Sequence, residues 1–586
     1  MEILNKKDFI SATNLSKFRL GLLAGFLMRI THLKKMNKAY HRAYSENGLE
    51  FIEKAFQEFG ITYEVDAKEL ENIPKEGAFI TVSNHPFGGI DGLMLIKTLA
   101  EKRSDFKVMA NFLLEKIDPI KDYLLSVNPF EELKGRKSSF QGIKNAIQHL
   151  EKGSPVGIFP AGEVSTYHKE SKVSLDRQWQ NSVIRIILQA KVPVIPVYFT
   201  GTNSKIFHLL GKINPLLRTA RLATELFNKK KQTLRMRVGK PIAFKDLEEF
   251  DSADQVGRFL RAKTYSLGST LQVKKSLFKR PIKLKKPKQI VDAIPKEVLK
   301  NEVEGVSSDY LVQNQGKFSL YIAPHTSIPN LLLEIGRLRE ITFRETGEGT
   351  NKKIDLDEYD LYYHHLFIWD NDNDRLVGGY RMAKGKEIMD IYGVNGFYIN
   401  TLFKITEEFH PYLEKSIELG RSFIIKEYQK TPIPLLLLWR GIWYYLLSHP
   451  EYKYLTGPVS ISNEISNFSK SLLIEYIKSN FFDRELSQYI KPRKRFKPDF
   501  GVVDANLILE KAHNNINYFD KYIEEIETSK MKIPVLLKKY LKQNAKILGF
   551  NIDPKFNNSL DGLIFLALND IPQAMVDRLN KDLQLN

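Results

Sequence analysis

Residues 78–92 read Ala-Phe-Ile-Thr-Val-Ser-Asn-His-Pro-Phe-Gly-Gly-Ile-Asp-Gly. The β-type run Ala78–Val82 ends at Ser83-Asn84-His85, and Gly88 and Gly89 let the backbone turn sharply between His85 and Asp91. Working outward, Phe51, Ile52, Ala55, Phe56 and Phe59 recur at helical spacing before it. Further strands are expected at Val156–Phe159, Val192–Phe199 and Leu234–Val238, with helices at Phe140–Leu150 and Ser182–Ala190 between them. Strand alternating with helix predicts an α/β domain that ends near residue 250.

The chain has 586 residues, too many for one domain of ordinary size. Its 43% hydrophobic and 27% charged residues are globular composition. With no cysteine, thiolate nucleophiles, disulfides and Cys-based zinc sites are excluded, and a reducing interior suits the composition. Residues 274–288, KKSLFKRPIKLKKPK, carry eight of the net +19 charges and two prolines, the pattern of an interdomain linker. The expected division is 1–265, a basic linker at 266–299, and 300–586.

No secretory signal or membrane span is expected. Leu20–Ile30 is too short to cross, and Pro432–Leu447 carries Arg440 near its middle. Basic, apolar-flanked stretches suit attachment to an anionic membrane surface, while Leu20–Ile30 fits an ordinary buried helix equally. The charge alone would also suit nucleic acid. No zinc-finger, RNP-like or basic-zipper pattern accompanies it, so no specific nucleic-acid partner is expected.

In the second half, a helix is expected around Ile328–Thr342 and a hairpin from His365–Trp369 and Arg375–Met382 about Asp370–Asp374. A strand is expected at Lys415–Ile425, then a helix capped by Thr431 with Pro432 at its first position, and a later helix at Asn515–Thr528. His364-His365 looks like a metal pair, but adjacent side chains on a strand face opposite ways, so no metal site is expected.

Chemistry concentrates at two places. An imidazole at a strand end, His85, with a carboxylate six residues on, Asp91, is the pairing that can deprotonate a hydroxyl and stabilise the resulting imidazolium. Gly135-Arg136-Lys137, Phe159-Pro160-Ala161-Gly162-Glu163-Val164-Ser165 and Val192-Pro193-Val194-Ile195-Pro196-Val197 follow in order. Together these blocks, within about residues 40–250, resemble the four of the lysophospholipid/glycerophosphate acyltransferase superfamily. The resemblance implies that His85 is the base, that Asp91 supports it, and that Arg136, Gly162 and Glu163 hold the acceptor. Two departures stand out: five residues rather than four separate His85 from Asp91, and Phe-Pro-Ala-Gly-Glu replaces the commoner Phe-Pro-Glu-Gly-Thr. Both are similar to the hemolysin-like branch, whose acceptors include acyl-amino-acid lipids.

The second place is Arg337-Leu338-Arg339 with Phe343, then Asp355-Leu356-Asp357-Glu358-Tyr359-Asp360, Gly378-Gly379-Tyr380-Arg381 and Glu418-Leu419-Gly420-Arg421. From about residue 300 to 470 this ordered set resembles the GNAT-like N-acyltransferases that make N-acyl amino acids. It implies Glu418 as the base that takes a proton from an ammonium. It also implies that Asp357 and Asp360 attract that ammonium or organise the loop, that Arg381 and Arg421 hold a carboxylate or shape the pocket, and that Arg339 and Phe343, on an Arg- and Phe-bearing helix, are substrate-binding. The coenzyme-A pyrophosphate loop of GNATs is replaced by Ile425–Pro432, which favours acyl carrier protein over acyl-CoA as donor, with no bound cofactor. Joined, the halves resemble bifunctional ornithine-lipid synthases: a glycerophosphate-acyltransferase-like α/β domain plus a GNAT-like mixed α/β domain with helical additions. That implies N-acylation of ornithine by a 3-hydroxyacyl thioester, then O-acylation of the lyso-aminolipid. It further implies a cytoplasmic chain, peripheral on the inner face of the cell membrane. Glycine as the amino acid, or a 1-acylglycerol-phosphate-type acyltransferase, stay open as alternatives.

Overall fold

The computed structural model describes residues 33–127, 137–168, 173–213, 221–222, 224–229, 233–269, 287–306, 308–527 and 531–582. Arg136, Leu20–Ile30 and most of the basic stretch at 274–288 therefore lie outside the described residues. Contacts divide the chain into two units, 1–273 with 500–511 and 274–499 with 512–586. The segment Phe500–Lys511, placed by the sequence reading in the second half, thus packs within the first unit.

Among the described residues the first unit has nine strands: β1 (Thr62–Val65), β2 (Ile80–Ser83), β3 (Lys107–Asn111), β4 (Leu124–Val127), β5 (Val156–Ile158), β6 (Thr166–His168), β7 (Val173–Leu175), β8 (Val194–Thr200) and β9 (Thr233–Val238). Seven form one sheet in the order β1-β9-β8-β2-β5-β3-β4, parallel except where β8 meets β9, while β6 and β7 pair as a separate hairpin. Its helices include α1 (Gly48–Phe59), α2 (Gly89–Ala100), α3 (Lys137–Glu151), α4 (Asn181–Ala190) and α5 (Ala253–Ser269). A parallel sheet needs cover on both faces. Accordingly Phe51, Phe56, Met94, Leu95 and Phe106 fill one core, and Ile80, Val82, Ile184, Val194 and Phe259 the other, which Leu507 joins. The spacing of Phe51, Ile52, Ala55, Phe56 and Phe59 does form α1, capped by the Asn47 side chain and closed by Gly60 at φ 63°.

The second unit carries β10 (Leu311–Gln315), β11 (Phe318–Pro324), β12 (His364–Asp370), β13 (Arg375–Lys384), β14 (Phe403–Ile405), β15 (Ser416–Ile424), β16 (Tyr454–Ile461), β17 (Ile490–Pro492), β18 (Lys546–Asp553) and β19 (Ser559–Ala567). Eight make one sheet, β10-β11-β12-β13-β15-β16-β19-β18; β14 and β17 pair separately. Every neighbour in the large sheet is antiparallel except β15 and β16, whose parallel pairing covers only Ser416–Glu418 against Tyr454–Thr456. Helix α6 (Pro329–Glu345) and helix α7 (Ile433–Ser448) contribute to its packing. The expected hairpin is β12–β13. Helix α7, however, begins one residue later than expected with Pro432 as its cap residue, and the Thr431 hydroxyl donates to Tyr428 O at 3.5 Å instead of capping the helix. Among the described residues no helix is long and apolar enough to cross a membrane.

Candidate active sites

In the first unit, β2 delivers Asn84 and His85 to its C-terminal end, the usual location for chemistry in a parallel sheet. Asn84 continues the strand with its side chain: Nδ2 donates to Phe199 O (2.9 Å), and Phe199 N donates to Oδ1 (2.7 Å). Gly88, at φ 88°, opens α2 and brings Asp91 back beneath the turn. Asp91 is fully buried, and its Oδ2 accepts from Phe87 N (2.9 Å) and Gly88 N (3.0 Å). His85 Nδ1 lies 3.0 Å from that oxygen, at ion-pair distance though out of line for a linear hydrogen bond. Burial raises the Asp91 carboxyl above its usual range, against the contacts from His85 and the two amides. The imidazole is clamped against Phe159, with ring centroids 4.1 Å apart. With Nδ1 facing a carboxylate, Nε2 is the nitrogen available to a hydroxyl.

The backbone of His85 is held as firmly as its ring. His85 N donates to Asp176 Oδ1 (3.1 Å), which also accepts from the Ser165 hydroxyl (2.6 Å), and Ser165 N returns a bond to His85 O (2.9 Å). Trp179 Nε1 donates to the other oxygen of Asp176 at 3.2 Å. The Phe159–Ser165 block thus sits beside His85. Gly162 is at φ 70°, where a Cβ would come within 2.3 Å of Gln180 Nε2, and Glu163 pairs with Arg177 at 2.8 Å. Asp176 carries no mark in the sequence: it lies past a hairpin, 91 residues from His85, with no local pattern.

In the second unit Glu418 is buried in β15, opposite Ala383 of β13 and Thr456 of β16. Its Oε2 accepts from the Tyr363 hydroxyl (2.5 Å) and Tyr398 N (3.2 Å), and its Oε1 accepts from Ile399 N (2.9 Å). Burial outweighs these donors, and the carboxyl is pushed up to about 7. A carboxylate titrating there is suited to general-base work near neutrality.

The remaining expected residues assemble around Arg381. The buried Arg339 guanidinium donates to Asp360 Oδ1 (2.7 Å), and Arg381 pairs with both Asp357 and Asp360 Oδ2, the latter at 3.2 Å. Burial favours the neutral form of Asp360, but Arg339 and Arg381 override it and hold the carboxyl well below the carboxylate range. Removing one partner of such a buried pair costs about 3–5 kcal/mol. Arg421, at φ 52°, reaches Asp355 (3.1 Å), Asp357 (3.4 Å) and the Tyr398 hydroxyl (3.2 Å). Arg381 and Arg421, expected to hold a carboxylate or shape the pocket, are bound to the protein's own aspartates. Asp357, 22% exposed, is the member of the Asp357/Asp360 pair that solvent reaches. Phe343 packs edge-on against Phe556 (5.1 Å), which lies under Arg421 (5.1 Å). Tyr359, Tyr363 and Tyr398 ring Arg381 at 5.2–5.5 Å. Tyr363 and Tyr398 were not anticipated, since their pairing with Glu418 spans 55 and 20 residues of chain. His365 Nε2 donates to Asp360 O (2.9 Å), and burial lowers its imidazole to about 3.

Residues 6–274 match the family described as Acyltransferase, and residues 338–439 the one described as Acetyltransferase (GNAT) domain. The glycine N(alpha)-acyltransferase of Phocaeicola vulgatus is 29% identical over 305 residues, covering 48% of this chain and 90% of the relative. The lyso-glycine lipid O-acyltransferase of Bacteroides thetaiotaomicron is 29% identical over 253 residues, covering 42% of this chain and 89% of the relative. A crystal structure of the 1-acyl-sn-glycerophosphate acyltransferase of Thermotoga maritima matches with 18% identity and a TM-score of 0.25, covering 45% of this chain and 98% of that one. The chain is an acyltransferase of mixed α/β fold that carries an N-terminal acyltransferase domain and a GNAT domain.

Proposed function

We propose that the chain makes a diacylated amino-acid lipid, with glycine as the amino acid. Supporting glycine over ornithine are relatives of both halves named for glycine or lyso-glycine lipid. One observation carries the two-step reading: each unit holds its own base, His85 beside Asp91 in one and Glu418 within its ring of donors in the other.

In the first step Glu418 receives, through water, a proton from the substrate ammonium. The freed amine attacks a 3-hydroxyacyl thioester; the C–N bond forms, the C–S bond breaks, and the thiol leaves with a proton. Asp357, the accessible carboxylate, attracts the ammonium before it loses its proton. In the second step His85 Nε2 takes the proton of the 3-hydroxyl as its oxygen attacks a second thioester. The imidazolium, steadied by Asp91, returns that proton to the departing thiolate. The order follows from chemistry, because the hydroxyl arrives with the first acyl group. Acyl carrier protein is the donor we favour, acyl-CoA the alternative. The chain would work peripherally at the membrane that receives its product.

Lipid mass spectrometry of a bacterial host without aminolipids tests this. Expression should yield a diacylated glycine species. His85→Ala should accumulate the mono-acyl lipid, and Glu418→Gln should remove both. A folded His85→Ala protein that still makes the diacyl lipid would defeat the division of labour.

A further inference from the structure

The buried hydroxyl of Tyr363, just before β12, meets more acceptors than it has hydrogens. Glu418 Oε2 lies 2.5 Å from it and Gly396 O 3.2 Å from it, and Tyr398 N donates to it at 3.1 Å. A phenol has one hydrogen, so it donates to the carboxylate or to the carbonyl, one at a time. The carbonyl is fixed in place: a Cβ on Gly396 would meet Ile388 and Tyr392 at 2.6 Å. Tyr362 donates to the same oxygen at 3.2 Å, and its two lone pairs have room for both tyrosines.

The two carboxyl oxygens of Glu418 are not equivalent. Oε1 faces Ile399 N at 2.9 Å, so a proton placed there would point at another hydrogen. Oε2 has in Tyr363 a partner that reverses its role. With Glu418 ionised, the phenol donates to Oε2. With Oε2 protonated, the carboxyl donates to the phenol oxygen, whose own hydrogen turns to Gly396 O. Neither state leaves a buried donor or acceptor of the pair unmade, which would cost its full desolvation.

We propose that Tyr363 is a positioning residue for the base: its hydroxyl turns from Glu418 to Gly396 O as Oε2 gains a proton, and turns back as the proton leaves. The proposal rests on Glu418 as the base of N-acylation and adds what lets so deeply buried a carboxyl cycle. The proton gained is the one the substrate ammonium gives up through water; Tyr363 keeps its own hydrogen throughout. Burial and the neighbouring Glu418 push the Tyr363 phenol well above its usual range, so the carboxyl is the partner that titrates near neutrality. Arg381 lies over the Tyr363 ring at 5.2 Å and favours the ionised Glu418. The Tyr359 and Tyr362 rings stand 5.8 and 5.3 Å from that of Tyr363, and the Tyr398 hydroxyl is engaged elsewhere, with Arg421 and Asp553. On the flanking strands Glu418 is opposite Ala383 and Thr456, neither of which ionises.

The test uses the full chain with Tyr363→Phe and with a ring-fluorinated tyrosine at 363, a more acidic phenol of nearly the same size. Two readouts follow Glu418: the pH limb of kcat/KM for glycine N-acylation, and infrared titration of the protonated-carboxyl band that Glu418→Gln removes, which needs no turnover. Tyr363→Phe takes a donor from the ionised carboxylate and should move both midpoints up by about one to two pH units, the scale of a hydrogen bond to a charged group. The fluorinated phenol donates more strongly and should move them down, a reversal that a packing role does not produce. Should Tyr363→Phe fail to fold, the fluorinated chain decides alone. Midpoints that stay at the wild-type pH would overturn the role of Tyr363, and the base reading would stand if Glu418→Gln still abolishes the limb. A band that shifts as expected while the limb survives Glu418→Gln would uphold the hydroxyl's coupling to Glu418 and defeat Glu418 as the base.

Discussion

At the scale of single residues, Glu418 sets the pH behaviour of the N-acyl step. Its carboxyl is pushed up to about 7, so the ionised, base-competent form grows as pH rises through that value. At pH 6 about a tenth of it is ionised. N-acylation of glycine should therefore climb about tenfold between pH 6 and a plateau above 8, in kcat/KM measured with saturating thioester. In Glu418→Gln this limb should vanish along with most of the rate, leaving only the titration of the substrate amine. Persistence of the limb in that variant would assign it to another group. Residues of this kind were legible where the chemistry is local. His85 and Asp91 lie six apart, and Glu418 and Arg421 share one strand, so short-range spacing exposes them. Asp176, Tyr363 and Tyr398 were not legible, because each acquires its role only through contacts that folding makes between distant parts of the chain.

At the scale of elements, the parallel pair β15–β16 ends at Glu418. Glu418 is the last residue of β15 in register with β16, and the next residue of β16, Gly457, sits at φ 155° with Leu419 O where its Cβ would be, 2.0 Å away. Gly457→Ala must push the two strands apart beside the base. It should destabilise the protein by about 2 kcal/mol, the scale of an overpacked core, and should depress N-acylation at least tenfold. O-acylation of supplied mono-acyl lipid should survive, since it belongs to the other unit; thermal melting and the two separate assays check this. Why some elements could be read and others not is equally physical. α1 shows its buried face at helical spacing, and the turn Asp370–Asp374 announces β12 and β13. By contrast β19, Ser559–Ala567, is buried on both faces and has no alternation to read. β10 and β11 flank only Gly316 and Lys317; β10 presents only Leu311 and Val312 as apolar positions, and β11, Phe-Ser-Leu-Tyr-Ile-Ala-Pro, is an apolar run without alternation. Their pairing is decided by the sheet as a whole.

At the scale of the whole molecule, the net charge of +19 bears on the donor. An acidic carrier protein is drawn to such a chain over a range that shrinks as salt shortens the Debye length from about 10 Å at 0.1 M to about 3 Å at 1 M. With an acyl carrier thioester, kcat/KM should fall about tenfold between 0.05 and 0.5 M salt, whereas a neutral acyl-pantetheine thioester should show almost no decline. Equal salt responses would remove the carrier protein as the favoured donor. The connectivity has its own consequence. The first unit is not complete at residue 273: Leu507 enters its core and Asp504 holds Arg258, more than two hundred residues later. A ribosome must therefore translate the whole stretch 274–499 of the second unit before the first can receive its last piece. A gene cut at the basic stretch would release an N-terminal product that lacks part of its own interior, although each half resembles a relative made as a separate polypeptide.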